Sequence, residues 1–115
     1  MHELSVALEI ISIASEAADD SGGGTVKVVR LRLGPLAGVD AQALIGAYAI
    51  AREGTMLAEA ELVVDELPIV ARCPHCRRDR VLQSILAICC PECGALDLRV
   101  VSGRELEVTT LEIES

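Results

Sequence analysis

Cys73-Pro-His-Cys76 and Cys90-Pro-Glu-Cys93 are the two segments that decide how the second half of this 115-residue chain folds. Two residues between paired cysteines let both sulfurs and the intervening backbone amides surround one ion. Each segment is therefore a knuckle: the first knuckle is residues 73–76 and the second knuckle is residues 90–93. Two knuckles complete a closed tetrahedral site of four thiolates, the usual arrangement for structural zinc, and the intervening residues allow a hairpin or short loop. The sequence predicts a zinc site made by Cys73, Cys76, Cys90 and Cys93.

A disulfide framework is the competing interpretation of the cysteines. All five lie between residues 73 and 93, an odd number in one short segment, and no secretory leader is expected before them. Zinc is therefore favoured. Cys89 is predicted to be a buried or half-buried free thiol, because its use with Cys93 would place three residues between the ligands. His75 is predicted to be an exposed loop residue rather than a ligand.

Charge is divided unevenly along the chain. Residues 69–104 carry six arginines against three acids, the remainder carries four bases against 15 acids, and the net charge is −8. An acidic chain without Phe or Trp lacks the basic surface and the stacking side chains that are typical of nucleic-acid-binding proteins. No apolar run reaches the roughly 18 residues needed to cross a bilayer. A cytoplasmic protein with no nucleic-acid or membrane partner is expected.

Hydrophobic periodicity predicts two helices and three strands outside the cysteines. The first helix runs from Leu4 to Ala18, and the Gly-rich segment at 19–24 ends it. The second runs from Ala41 to Glu53, with Asp40 as its N-cap. Alternating residues predict strands at 26–33, 61–67 and 105–113, with changes of phase at 28–29 and 109–110. The core is expected to consist of Leu, Ile, Val and Ala, and the apolar face of the first helix is Leu4, Leu8, Ile11, Ala14 and Ala18.

The last predicted strand indicates how these elements connect. A terminal strand with Leu106, Val108, Leu111 and Ile113 is too apolar to stand alone beyond the zinc module, so it is predicted to pair with the strands before Pro68. The fold class is then α+β: a small mixed α/β domain with two helices on a three-stranded sheet, and an inserted four-cysteine zinc-ribbon module. The predicted boundaries are 1–69 and 102–115 for the α/β domain and 70–101 for the inserted module.

The amino terminus, Met1-His2-Glu3, has the chemistry of a metal chelate. The α-amine of Met1, the backbone nitrogen of His2 and the His2 imidazole can close adjoining chelate rings on one ion. Such a set of nitrogens suits square-planar Ni(II) or Cu(II). The Glu3 backbone nitrogen, or a carboxylate such as Glu3 or Asp40, would complete the coordination. An incidental, solvated histidine is the alternative interpretation.

Together these features resemble the HypA/HybF family of nickel metallochaperones, which act in [NiFe]-hydrogenase maturation. The resemblance covers nearly the whole chain. It rests on the two Cys-Pro-x-Cys knuckles and on Met1-His2-Glu3-Leu4-Ser5, Val29-Arg30-Leu31-Arg32-Leu33-Gly34, Gly54-Thr55, Ala60-Glu61-Leu62, Gly103-Arg104-Glu105-Leu106 and Leu111-Glu112-Ile113-Glu114. The family usually carries aromatic residues in the second helix, where this chain has Leu44-Ile45-Gly46-Ala47-Tyr48.

The resemblance implies a role for each candidate residue. His2 becomes the principal nickel ligand, with the Met1 amine and local backbone beside it, and Glu3 and Asp40 are the acids near the nickel site. Cys73, Cys76, Cys90 and Cys93 become the ligands of structural Zn²⁺, with Ni²⁺ as a transient cargo held by the α/β domain. The implied partners are a nickel-handling GTPase of the HypB type and the hydrogenase large subunit, with urease maturation in some members. A monomer or weak homodimer is expected.

Two other classes of function compete with metal delivery. A zinc-ribbon protein that binds nucleic acid, or acts as an adaptor, is supported by the six arginines near the knuckles and opposed by the overall charge. A thiol–disulfide enzyme would use one Cys-x-x-Cys pair, yet thiolates held by zinc are not free nucleophiles. No catalytic constellation is evident in the sequence. A non-enzymatic nickel metallochaperone with a structural zinc site is therefore the predicted function.

Overall fold

A computed structural model of the chain describes residues 2–114 and gives two helices and six strands. In chain order these are α1 (Glu3–Asp20), β1 (Thr25–Leu33), a short 3-10 turn (Pro35–Ala37), α2 (Ala41–Ala51), β2 (Glu61–Glu66), β3 (Ile69–Cys73), β4 (Arg78–Leu82), β5 (Arg99–Ser102) and β6 (Leu106–Glu114). The strands form two three-stranded sheets, ordered β2-β1-β6 and β4-β3-β5. The predicted α+β class is confirmed. In the part of the chain that the structure describes, neither helix combines the length and apolar character needed to span a bilayer.

The chain divides into two compact units. The helical unit comprises residues 2–32, 38–65 and 107–114, and the cysteine unit comprises residues 33–37 and 66–106. Residues 33–37 join the cysteine unit through backbone hydrogen bonds: Gly34 N donates to Glu105 O at 2.8 Å and Leu36 N donates to Gly103 O at 2.7 Å. A Cβ at Gly34 would collide with the Gly103 backbone, so this close approach requires glycine.

Helix α1 buries a different face from the one that the sequence predicts. Leu4 and Leu8 are 48% and 53% exposed, so their placement on the buried face is wrong. The buried residues of the helix are Val6, Ala7, Ile10, Ile11, Ala14 and Ala18. At about 100° per residue, the centre of this face lies about 60° from that of the predicted one. Small side chains at 7, 14 and 18 let another element approach α1 closely, and α1 packs against α2.

Helix α2 begins where its N-cap predicts. Asp40 Oδ2 accepts a hydrogen bond from the Ala43 backbone N–H at 2.9 Å, which satisfies one donor of the first turn. The helix ends at Ala51, two residues before the predicted end. Tyr48 is buried, and its hydroxyl donates to Ala60 O at 2.9 Å. The core therefore contains one aromatic ring besides the aliphatic residues that the composition indicates.

The sheet of the helical unit is built around β1. Val26, Val29, Leu31 and Leu33 are its buried residues, so the side-chain alternation changes phase near Val28 and Val29 as predicted. Strand β6 pairs with β1, which confirms that the last strand returns to the strands before Pro68. Charged side chains of β1 are paired with neighbouring acids. These ion pairs are Arg30 with Asp65, Arg32 with Glu107, and Lys27 with Glu59.

The cysteine unit has β3 as its central strand. Strand β3 pairs antiparallel with β4, from Ile69 opposite Leu82 to Cys73 opposite Arg78, and antiparallel with β5 on its other side. Its small core consists of Ile69, Ala71 and Leu82, with Leu36, Ile88 and Leu98 packed against it. A core of this size contributes little stability, and a domain so small usually depends on a metal or other cross-link.

Candidate metal centres

The first knuckle forms the turn between β3 and β4. Cys73 is the last residue of β3, and the following strand begins at Arg78. Arg77 N donates to Cys73 O at 2.8 Å, and Cys76 N donates to Cys73 Sγ at 3.4 Å. The hairpin therefore fixes the direction of both sulfurs of this knuckle.

The second knuckle adopts the same local conformation inside a segment, residues 83–98, that contains no helix or strand. Gly94 N donates to Cys90 O at 2.9 Å, which repeats the bond from Arg77 to Cys73. Cys90 N also donates to Ala95 O at 2.9 Å. Backbone amides surround the Cys90 sulfur, and the N–H of Cys93 contributes most to lowering the pKa of Cys90 to about 6. A thiol with this pKa is already ionised at neutral pH, the form that binds a metal.

The four knuckle sulfurs meet at one point. Cys73 Sγ lies 3.6 Å from Cys93 Sγ and Cys76 Sγ lies 3.8 Å from Cys90 Sγ, and all four are within 4.8 Å of one another. A tetrahedron with Zn–S bonds of about 2.3 Å has S···S edges of about 3.8 Å. The sulfur arrangement therefore fits a tetrahedral thiophilic ion. Within residues 2–114, these cysteines are the only group of three or more His, Cys, Asp or Glu side chains close enough to share an ion.

Arg80, which sequence reasoning missed, lies beside this cluster. Its side chain is only 14% exposed, and its Nη2 donates to Glu92 Oε2, inside the second knuckle, at 2.8 Å. Interaction with the Cys76 sulfur is the largest cause that raises the pKa of Arg80 above its usual value. The guanidinium thus joins β4 to the second knuckle and offsets the negative charge of the thiolates. An arginine that shares the inward face of β4 with Leu82 was the available signal.

Cys89 and His75 lie outside the sulfur cluster. Cys89 is half-buried and its sulfur is not among the four that converge, as the sequence predicts. His75 is exposed, and its Nε2 lies 3.1 Å from both carboxylate oxygens of Asp97. His75 therefore pairs with an acid across the loop instead of joining the cysteines.

The start of α1 brings two of the predicted N-terminal site residues together. Glu3 Oε2 accepts a hydrogen bond from the Asp40 backbone N–H at 3.3 Å, while the Asp40 carboxylate caps α2. His2 is the N-cap residue of α1, with extended backbone (φ −80°, ψ 118°), and its side chain makes no capping hydrogen bond. Its imidazole is exposed and does not form a three-side-chain cluster with the two acids. Met1 lies outside the described residues.

Comparison with known proteins identifies the family. The family model described as "Hydrogenase/urease nickel incorporation, metallochaperone, hypA" matches residues 1–113. The chain belongs to the HypA family.

Curated relatives agree with this family over nearly their whole length. The chain is 47% identical over 112 residues to the hydrogenase maturation factor HypA of Chloroflexus aurantiacus, covering 97% of this chain and 98% of the relative. It is 42% identical over 114 residues to that of Roseiflexus sp., covering 99% and 93%. These relatives are maturation factors.

Two solved structures share the fold of the chain. The solution structure of the Ni metallochaperone HypA from Helicobacter pylori superimposes with a TM-score of 0.67 at 21% identity, covering 98% of this chain and 97% of that one. A second solution structure, of a HypA protein, gives a TM-score of 0.71, covering 99% and 97%. At this identity the likeness concerns the fold alone.

Proposed function

We propose that the protein is a nickel metallochaperone that binds Ni(II) at its amino terminus and delivers it during [NiFe]-hydrogenase maturation, and for urease in a host that makes one. Family membership over residues 1–113 is the observation that carries the proposal. The exposed, uncapped imidazole of His2 supports it, because that side chain is free to bind a cargo ion. The protein performs no catalysis in this proposal.

Nickel, as the cargo, is held by the His2 imidazole, the Met1 amine and the neighbouring backbone nitrogens. Ni(II) favours such nitrogen donors in a square-planar arrangement, and backbone nitrogens bind it only after they lose their protons. Glu3 has a positioning role as well as a possible ligand role, since its carboxylate holds the Asp40 backbone N–H at 3.3 Å. Asp40 holds the first turn of α2 by its cap. Both acids therefore fix the segment that presents His2.

Zinc is the resident ion of the proposal, held by Cys73, Cys76, Cys90 and Cys93. The S···S distances of 3.6 and 3.8 Å support tetrahedral coordination. The ion supplies a cross-link between the hairpin and the second knuckle in a unit with a very small apolar core. The division into a nickel-binding domain, residues 1–69 and 102–115, and a zinc module, residues 70–101, belongs to this proposal.

The proposed partners are a nickel-handling GTPase of the HypB type, which passes or promotes release of the ion, and the hydrogenase large subunit, which receives it. The cytoplasm, where apo-enzymes are matured, is the proposed location, with the chain acting as a monomer or weak homodimer. No nucleic acid takes part. An exposed N-terminal chelate suits this role because an acceptor can approach the ion and exchange ligands without unfolding the carrier.

Nickel titration of untagged, zinc-loaded protein tests the proposal. His2→Ala should abolish Ni(II) binding measured by calorimetry, while zinc content and fold stay unchanged, because the imidazole anchors the chelate and α1 does not need it. His75→Ala is the matched control, since His75 is the other of the chain's two histidines and should leave nickel affinity unaltered. A short N-terminal extension should weaken binding comparably by removing the α-amine from the chelate.

Glu3→Gln and Asp40→Asn should weaken nickel binding less than His2→Ala, because a carboxylate is a poorer Ni(II) ligand than an imidazole or amide nitrogen. Equal nickel affinity in wild type and His2→Ala would overturn the proposed site. A loss in His75→Ala instead would move the nickel to the cysteine unit.

A further inference from the structure

The cysteine unit contains a cavity of about 400 Å³ that neither metal centre uses. Three arginines line it, together with one proline and one acid: Arg72, Arg77, Arg99, Pro74 and Asp97. Arginine guanidinium groups bind carboxylates and phosphates through paired N–H donors. The cavity therefore has the chemistry of an anion-binding surface.

The positive charge in this cavity is not neutralised within the protein. Arg72 on β3 lies directly opposite Arg99 on β5, and like charges in that arrangement repel each other. Arg72 has one loose ion pair, with Asp79 at 3.6 Å. Asp97 holds His75, with both carboxylate oxygens 3.1 Å from Nε2. Between His2 and Glu114, the guanidinium groups of Arg77 and Arg99 have no ion-pair partner.

The backbone at Arg77 gives an independent indication that this side chain has a role. Arg77 follows the first knuckle with φ +57°, the left-handed conformation, and is the only described non-glycine residue with positive φ. The equivalent residue after the second knuckle is Gly94, with φ +75°. Glycine adopts this conformation without strain, so nothing in the backbone explains an arginine here. Strained residues of this kind cluster at binding sites.

We propose that this cavity docks an acidic segment of a partner protein, with two carboxylates of that segment bound by Arg72, Arg77 and Arg99. Its volume admits two carboxylate side chains and excludes a folded surface. A nucleic-acid strand fits less well, because the chain has a net charge of −8 and no Phe or Trp, and its one Tyr is buried in the helical unit. This docking surface is separate from the nickel ligands and does not depend on nickel binding.

Fluorescence anisotropy with a labelled model peptide tests the proposal on the zinc-loaded full chain. The probe is a six-residue peptide of alternating Glu and Asp flanked by Gly, and its matched control replaces every acid by the corresponding amide. The acidic peptide should bind at low salt, about 50 mM, and weaken several-fold at about 300 mM because the arginines are solvent-exposed. Equal binding of the two peptides would overturn the proposal.

Substitutions locate the site. Arg77→Gly keeps the left-handed backbone and removes the guanidinium, so it should weaken peptide binding by roughly fivefold with no loss of zinc. Arg99→Glu should abolish binding. Arg78→Gln is the matched control, because Arg78 is an exposed arginine of the same unit outside the cavity. A loss of binding in Arg78→Gln as large as in Arg77→Gly would overturn the assignment.

Two further probes distinguish the occupant. A single-stranded oligonucleotide of thymidines that binds more tightly than the acidic peptide, and loses binding in Arg99→Glu, would replace the protein partner by nucleic acid and overturn the proposal. Inorganic phosphate that binds as tightly as the peptide would reduce the site to one for small anions, with the same consequence. Nickel titration of Arg77→Gly should match wild type, so that failure of this docking surface is separable from failure of the nickel site.

Discussion

The two knuckles have the same backbone and different supports. Both are Cys-Pro-x-Cys, and in both the residue that follows is left-handed and donates its N–H to the first cysteine, at 2.8 Å in the first knuckle and 2.9 Å in the second. The first knuckle, however, is the turn of a hairpin whose strands pair from Ile69 to Leu82. The second lies in residues 83–98, between β4 and β5, where no strand holds it.

This difference indicates which interactions hold each half of the metal site. Strand pairing positions Cys73 and Cys76 whether or not an ion is bound. Cys90 and Cys93 depend on local backbone hydrogen bonds and on the contact of Arg80 with Glu92. An ion shared by the two knuckles would therefore order mainly the second one. The comparison makes three predictions, taken in order of decreasing size.

Removal of zinc should have the largest effect. Metal binding by such sites supplies roughly 10–16 kcal/mol of apparent folding free energy, and a core as small as Ile69, Ala71 and Leu82 cannot replace it. Mass spectrometry of purified protein should find one zinc per chain. During chelation, hydrogen exchange should rise first in residues 83–98 and later in β3 and β4, because only the hairpin has strand pairing of its own.

Single cysteine variants separate ligands from bystanders in the same experiment. Cys90→Ser should lose zinc and reproduce the exchange pattern of the chelated protein. Cys89→Ser is the matched control and should keep its zinc, since Cys89 lies outside the sulfur cluster. If Cys89→Ser loses zinc, or if β3 and β4 lose protection before residues 83–98, the account of the two knuckles is wrong.

Features written in short sequence motifs were predictable. The knuckle spacing fixes the local turn, and the four sulfurs converge. Asp40 caps α2 because a side-chain oxygen before a helix accepts from its first turn, a purely local interaction. The placement of β6 beside β1 followed from its apolar content, because an isolated apolar strand would expose that surface to water.

Features that depend on tertiary contacts were not predictable. Periodicity showed that α1 is amphipathic, yet Leu4 and Leu8 are exposed and Val6, Ala7 and Ile10 are buried. Apolar residues surround much of this helix, so its packing partner α2 decides which face is buried. Arg80 and Glu92 are 12 residues apart, and their pairing depends on the path of the chain between β4 and the second knuckle. No spacing rule anticipates such a pair.

Loss of Arg80 should weaken zinc binding by an intermediate amount. Arg80→Gln removes the ion pair that holds the second knuckle and the positive charge beside Cys76, so zinc affinity should fall about 10- to 100-fold, the usual range for residues that support metal ligands. The rate of zinc transfer to a chromogenic chelator measures this effect. Arg78→Gln, at an exposed position of the same strand, should transfer zinc at the wild-type rate.

Glu92→Gln should fall between Arg80→Gln and wild type, because it keeps the guanidinium next to the sulfurs but weakens the link to the second knuckle. Transfer rates for Arg80→Gln and Arg78→Gln that do not differ would mean that the thiolate cluster needs no neighbouring cation.

The smallest predicted effect distinguishes the two left-handed residues. Gly94→Ala should destabilise the zinc-loaded protein by about 1–2 kcal/mol, since a Cβ in this conformation crowds its own backbone. No other atom lies within 4 Å of that Cβ position, so the loss would measure backbone strain alone. Arg77→Gly should change stability by less than about 0.5 kcal/mol, because relief of the same strain is offset by the greater freedom of glycine in the unfolded chain. Denaturant midpoints at a fixed free zinc concentration measure both variants. A Gly94→Ala midpoint equal to that of wild type would mean that the second knuckle relaxes around the substitution, and that the conformation shared by the two knuckles is not required for their function as ligands.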